Sequence, residues 1–246
     1  MYSWNTVRNT CAVLLLLPLV HLAFLVSRET LAALEASPEV WAGEMEAYAQ
    51  ADLEASQPPA PLVVVGGQRV KLWRGLADIL APTPVLMRGL GNATVDDIIF
   101  HYDRLISFYR PDTLVLLPGS SEFHIRDMKS AEELVSTIQA LANIDARKSS
   151  TRRLYVFTPL KTPLYPGDNE KIDRAGQLLK SWAAADERVT ILDANALLSK
   201  RDGRPGPAYY RNDGINLNEH GYLRLSLMLQ AQVERDRAAY GAATVP

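Results

Sequence analysis

Polar side chains suited to chemistry gather in four short segments. These are Gly66-Gly67-Gln68, the turn from Arg88 to Thr94, the run Gly119 to Glu122, and the loop from Asp213 to Asn218. Two histidines stand nearby: His124 lies two residues after Glu122, and His220 lies four after Asn216. A serine within reach of a histidine is the pattern of nucleophilic acyl transfer, and Ser121 with His124 is one conceivable pair of that kind. Glu122, His124 and Asp213 are metal-ligating types, but no ligand spacing joins them and no metal is expected. The bland readings are a surface loop for His124, a helix-start surface residue for His220 and a loop brace for Asp213.

The elements around these segments alternate. Short Val- and Leu-rich runs are predicted as strands over Leu62–Val65, Val85–Arg88, Thr113–Leu117, Leu154–Thr158 and Val189–Leu192. Helical patterns follow over Val70–Ala81, Val95–Tyr109, Ala131–Ile144, Glu170–Asp186 and Glu219–Arg237. Strands this short and apolar are buried on both faces, and alternation with helices implies parallel pairing through right-handed crossovers. The expectation is an α/β fold, a three-layer α/β/α doubly wound, flavodoxin-like sheet of five parallel strands in the order 2-1-3-4-5. In such a sheet ligands bind at the carboxyl ends of the strands, where the four segments fall.

Ahead of this body, Cys11 to Val26 reads CAVLLLLPLVHLAFLV, with Arg8 before it and Arg28 after it. A bilayer core needs about 20 apolar residues, and Val7 to Thr10 can extend the run. An uncleaved signal anchor, a cleaved signal peptide and a buried helix all produce such a run. The anchor is preferred, because no small-residue cleavage site follows directly. Arg8 favours a cytoplasmic N-terminus and a body in the periplasm, bound to the inner membrane by a single pass. A helix is expected from Glu29 to Ser56, with Pro38 fitting a start after Ser37, before Pro58, Pro59 and Pro61 end it. The expected division is an anchor over 1–28, a helical linker over 29–61 and a domain over 62–240.

Composition narrows the function. Lys and Arg number 26 against 28 Asp and Glu, which gives no basic excess for nucleic acid. Cys11 is the single cysteine, so neither an intrachain disulfide nor a cysteine metal knot can form. No cofactor motif is present, and none is expected.

The same segments carry a resemblance. From about Pro38 to Leu229 the sequence resembles the SGNH/GDSL hydrolases, in a bacterial branch with a Pro-x-x-Trp-x-x-Glu helix, here Pro38, Trp41 and Glu44. Gly66-Gly67-Gln68 stands where the family has its nucleophile turn, and Arg88 to Thr94 matches the second block. Gly119-Ser120-Ser121-Glu122 matches the third, and Asp213-Gly214-Ile215-Asn216-Leu217-Asn218 with Gly221-Tyr222 matches the last. The resemblance puts the nucleophilic serine on Gln68, the oxyanion glycine on Asn92, the oxyanion asparagine on Ser121 and the general-base histidine on Asn216. Asp213, which orients that histidine, keeps its identity. Losing the nucleophile or base of a triad costs roughly 10⁶ in rate, and losing one oxyanion donor roughly 10²–10³.

The resemblance with these replacements implies a catalytically inactive, membrane-anchored accessory domain. Its expected partner is another membrane protein or complex, with no nucleic acid and no ligand identified by the sequence. Two alternatives stand beside it. One is an ester hydrolase or acyl transferase with a rearranged site drawn from Ser121, Glu122, His124 and His220. The other is a carbohydrate-binding module that uses the inherited cleft.

Overall fold

The computed structural model describes residues 3–34, 37–124, 128–149 and 151–243. They form two compact units that divide after Ala36. The first holds one helix, α1 (Trp4–Leu34), with Pro18 inside it. Its stretch Arg8–Ser27 has a mean hydropathy of 2.3 over 20 residues, long and apolar enough to cross a membrane. The turn of chain expected to start a new helix at Glu29 instead continues α1 to Leu34. The break comes later, at a 3₁₀ turn over Pro38–Trp41 that leads into α2 (Ala42–Glu54). Proline's fixed φ suits the first position of a helix and forbids its interior, which places the second start at Pro38.

The second unit is built on five parallel strands: β1 (Leu62–Gly66), β2 (Val85–Gly89), β3 (Thr113–Leu117), β4 (Arg153–Phe157) and β5 (Val189–Leu192). Their order is β2-β1-β3-β4-β5, as the pattern of apolar runs implies. Leu62 is level with both Val85 and Thr113, so the first three strands end together and aim their loops at one place.

Alternate side chains of each strand feed opposite faces. Val63 and Val65 pack with Ile98 of α5 (Val95–Phe100), Leu134 and Ile138 of α7 (Ala131–Lys148) and Ile172 of α8 (Asn169–Ala183). Leu62 and Val64 pack with Val70 of α3 (Gln68–Leu72), Leu76 of α4 (Leu76–Leu80) and Leu225 and Leu229 of α10 (Glu219–Ala243). Helix α7 starts in a capping box, with Ser130 and Glu133 each satisfying the other's backbone N–H.

Two expected helices are broken. The pattern over Val70–Ala81 splits into α3 and α4, because Gly75 adopts a left-handed φ of 76° between them. Trp73, at the break, lies between Phe157 and Tyr222 and donates its indole N–H to Ser226 Oγ at 2.9 Å. The pattern over Val95–Tyr109 divides at His101 into α5 and α6 (Tyr102–Leu105), then a 3₁₀ turn over Ser107–Tyr109. His101 Nε2 lies 2.9 Å from the carbonyl of Pro38, a contact with α2's approach that periodicity does not encode. A short helix, α9 (Asn195–Leu198), was not expected. Four residues are too few for a helical pattern.

Candidate functional site

The site is assembled by glycines that let three turns touch. Gly66 ends β1 so close to β3 that a Cβ there would lie 2.3 Å from the carbonyl oxygen of Leu117. A Cβ on Gly67 would lie 3.0 Å from Ala93 O in the turn after β2, and one on Gly119 would lie 3.5 Å from the same atom. The loops after β1, β2 and β3 therefore meet at Ala93. Trp41 and Glu44 hold this meeting from outside. A Cβ on Gly91 would collide with the Trp41 ring at 2.3 Å. Glu44 Oε2 accepts the Gly91 N–H at 3.1 Å and pairs with Lys71 of α3 at 3.0 Å. The Pro38-Trp41-Glu44 segment thus braces the first and second loops together.

Gln68 opens α3 directly after this turn and is half-buried. Asn92 sits on the second loop and is exposed. Ser121 lies in a 3₁₀ turn after β3 and is buried. The next residue, Glu122, is fully buried. Its Oε1 accepts the Val95 N–H at 2.7 Å, and its Oε2 pairs with Lys129 at 2.7 Å. Burial pushes its carboxyl pKa up to about 7 against the pull of Lys129. Glu122 is thereby committed to holding α5 and the segment at Lys129.

The last loop is closed on itself. Asp213 Oδ1 accepts the backbone N–H groups of Ile215 and Asn216, each at 2.8 Å, and Oδ2 accepts the Asn216 amide N–H at 2.8 Å. Burial, the largest single influence, opposes ionisation, but these three donors and the charge of Arg211 together outweigh it and hold the Asp213 pKa below the usual carboxylate range. Asn218 caps α10, its Oδ1 accepting the Gly221 N–H at 3.0 Å.

The histidines separate. His220 is exposed at the start of α10, in a groove with Leu197, Tyr209 and Leu227, and does not join Asp213. His124 is not a free surface residue. Its Nδ1 pairs with Asp168 Oδ2 at 2.8 Å, its ring lies 3.7 Å from the Tyr165 ring, and its Nε2 is buried with no hydrogen-bond partner among the described residues. Burial lowers its pKa, and the charges of Lys171 and Arg69 add to that, outweighing Asp168. The Ser121–His124 pair of the alternative, rearranged site is therefore not formed. No group of three His, Cys, Asp or Glu is placed to hold a metal among the described residues.

Arg69 is the residue that sequence reasoning missed. It follows Gln68 on α3 and is only 3% exposed. Nη2 donates to the carbonyl of Ile215 at 2.9 Å, while Nε and Nη1 have no partner among the described residues. Burial lowers its pKa, opposed by Tyr210, Tyr222 and Asp213. Nothing in the sequence signals its burial, since the five-residue helix α3 also carries Gln68 and Lys71.

No family model matches the sequence, and no curated protein matches it. Solved structures do. A GDSL-like lipase from Bacteroides thetaiotaomicron superposes with a TM-score of 0.67 at 16% identity, over 78% of this chain and 98% of that one. The chain has an SGNH/GDSL-hydrolase-like fold. The lipase/acylhydrolase from Enterococcus faecalis gives a TM-score of 0.56 at 14% identity, over 72% of this chain and 96% of that one. A catalytic mutant of an acetylxylan esterase from Geobacillus stearothermophilus gives 0.56 at 14%, with the same coverage. At these identities the likeness is one of fold. The SGNH/GDSL-like scaffold explains why Gln68, Asn92 and Ser121 follow the carboxyl ends of β1, β2 and β3, and why Asp213–Asn216 lie in the loop before α10.

Proposed function

We propose that this protein is a membrane-anchored, non-catalytic SGNH/GDSL-like domain that serves as an accessory or partner-binding subunit at the periplasmic face of a membrane. The observation that carries the proposal is the Asp213–Asn216 bond. At the position the resemblance gives to a general base, an amide is fixed to the carboxylate by its own N–H. An amide takes up no proton near neutral pH. Gln68, at the nucleophile position, has no hydroxyl to activate. The apolar helix over Arg8–Ser27 supports the anchor, and Arg8 supports the cytoplasmic placing of its start.

The test is purification of the full chain from membranes in mild detergent, with short acyl esters assayed on the same sample. Stoichiometric copurifying proteins without ester turnover are expected. A lone monomer in every detergent tried, or turnover lost on a Ser121→Ala change, overturns the proposal.

One observation favours a second reading, a hydrolase or acyl transferase with a rearranged site. Asp168 and His124 form an oriented acid–base pair whose Nε2 has no partner among the described residues. A base of this kind needs a hydroxyl in hydrogen-bond reach, and neither Ser120 nor Ser121 provides one to it.

A further inference from the structure

A second cleft opens away from the degenerate site. It lies past the carboxyl ends of β4 and β5, where Thr158 and Asp193 follow the strands, and offers a cavity of about 580 Å³. Small-molecule sites span roughly 300–1,000 Å³. The cavity shares no residue with Gln68, Asn92, Ser121 or Asp213–Asn216. One wall is a stripe of α8 in which Asp173, Gly176, Gln177 and Lys180 recur at helical spacing. Another is the turn from Ser199 to Pro205, whose ends are bridged and whose Lys200 N–H donates to Arg204 O at 2.8 Å. Asn195 ties the two strand ends together. Its Oδ1 accepts the Lys161 N–H at 2.9 Å, and its amide donates to Thr158 Oγ1 and Pro159 O.

The charges in this cleft do not balance. Lys161 pairs with Asp173 at 2.8 Å, and Lys180 with Asp193 at 2.7 Å. Lys200 and Arg201 also line the cavity, are exposed, and enter no ion pair among the described residues. Two cations are left over. The bland reading is a pair of solvated charges on a turn. Gly176 argues against it. A glycine inside a helix is unfavourable relative to alanine. Packing does not demand one here, because a Cβ would meet only Thr158 Cγ2, at 3.6 Å, an ordinary contact. The methyl group would otherwise occupy the cavity that Gly176 lines. The glycine thus keeps space open in a cleft with unpaired cations, and Gln177 and Ser199 offer polar side chains to its occupant.

We infer that this cleft binds a hydroxylated phosphate monoester. Such a group carries about −1.5 to −2 charge at neutral pH, which matches the two unpaired cations. Arg201 supplies a fork for two phosphate oxygens and Lys200 a point charge, while the hydroxyls meet Gln177 and Ser199. Nothing is turned over. The inference goes beyond the accessory role, since a cleft for a small anion neither needs nor excludes a protein partner.

The experiment is calorimetric titration and thermal shift on the full chain in detergent. The probes are glucose 6-phosphate, glycerol 3-phosphate, glucuronate and glucose. The better phosphate ester should bind about tenfold more tightly than glucuronate, which has a single charge, and more tightly still than glucose, which has none. Added salt should weaken it. A tighter glucose 6-phosphate points to a sugar phosphate, and a tighter glycerol 3-phosphate to a lipid headgroup. Lys200→Ala combined with Arg201→Ala should weaken binding at least about tenfold without lowering the melting temperature, because both side chains are exposed. Gly176→Ala should melt higher and bind more weakly, a combination that a merely structural glycine does not give. The inference is overturned if neither phosphate ester binds up to roughly 10 mM, or if glucuronate or glucose binds as tightly. It is equally overturned if the double variant or Gly176→Ala binds as the wild type does. Copurification of partners is scored separately, so either idea can fail alone.

Discussion

Asn216 donates its side-chain N–H to Asp213 Oδ2 at 2.8 Å, while Asp213 Oδ1 gathers the backbone N–H groups of Ile215 and Asn216. The carboxylate thus braces a loop. Asp213→Ala should cost about 1 kcal/mol, at the low end for three lost bonds because the loop is open to solvent. Its folded pKa is depressed, so this contribution is present at neutral pH and is lost as pH falls through that pKa. Urea unfolding of the variant at neutral and acid pH measures both. Asn216→His alone should yield no ester turnover, since Gln68 still lacks a hydroxyl. Only Gln68→Ser, Asn92→Gly, Ser121→Asn and Asn216→His together test whether the scaffold still fits that chemistry.

Glu122 acts in the opposite sense with pH. Its pKa rises from 4.5 to about 7 on folding, because burial outweighs Lys129. Between those values the folded state binds more proton than the unfolded one. Stability from this group is therefore greatest below the window and declines as pH rises through it. Glu122→Gln should flatten that decline. Below the window, where the acid is protonated in both states, the amide replaces a neutral group and the two proteins should be close in stability. Thermal unfolding of both proteins from pH 4 to pH 8 checks slope and offset together.

The sheet was legible because β1 and β3 are buried on both faces, and such strands must be runs like Leu62–Val65 and Thr113–Leu117. The loops holding Gln68, Asn92, Ser121 and Asp213 were legible for the same reason, as strand ends and a helix start. What failed to show was set by contacts distant in sequence. Gly75 and Trp73 split a helix because Trp73 is needed between Phe157 and Tyr222. His124 looked like surface until Asp168, some forty residues on, took its Nδ1. Arg69 reads as an ordinary helix-face charge until α10 and the last loop cover it, with Tyr222 donating to its carbonyl at 2.9 Å.

The brace of Trp41 and Glu44 gives a third prediction. Gly91→Ala forces a methyl group to within 2.3 Å of the Trp41 ring. The ring must shift, and the new methyl group also crowds Glu44 Oε1 at 3.2 Å. The expected loss is about 2 kcal/mol by overpacking. Glu44→Gln keeps an acceptor for Gly91 but ends the pair with Lys71, which is partly exposed, and should cost less than about 1 kcal/mol. Equal losses in chemical denaturation would show that the ion pair, and not the ring contact, holds the loop.

Two glycines with special backbone settings should respond very differently to alanine. At Gly75 φ is 76°, with nothing within 4 Å of the new methyl group. The cost is that of a left-handed alanine, about 1–2 kcal/mol. At Gly66 the methyl group meets the Leu117 carbonyl at 2.3 Å and Val70 Cγ2 at 2.7 Å. A backbone oxygen of a central strand cannot step aside without parting β1 from β3. Gly66→Ala should therefore cost about 3 kcal/mol or more, or prevent folding. The measurement is soluble yield and urea midpoint for the pair. A Gly66→Ala protein as stable as Gly75→Ala would mean that β1 and β3 are not held as closely as the turn requires, and that the Gln68 loop is not fixed by this contact.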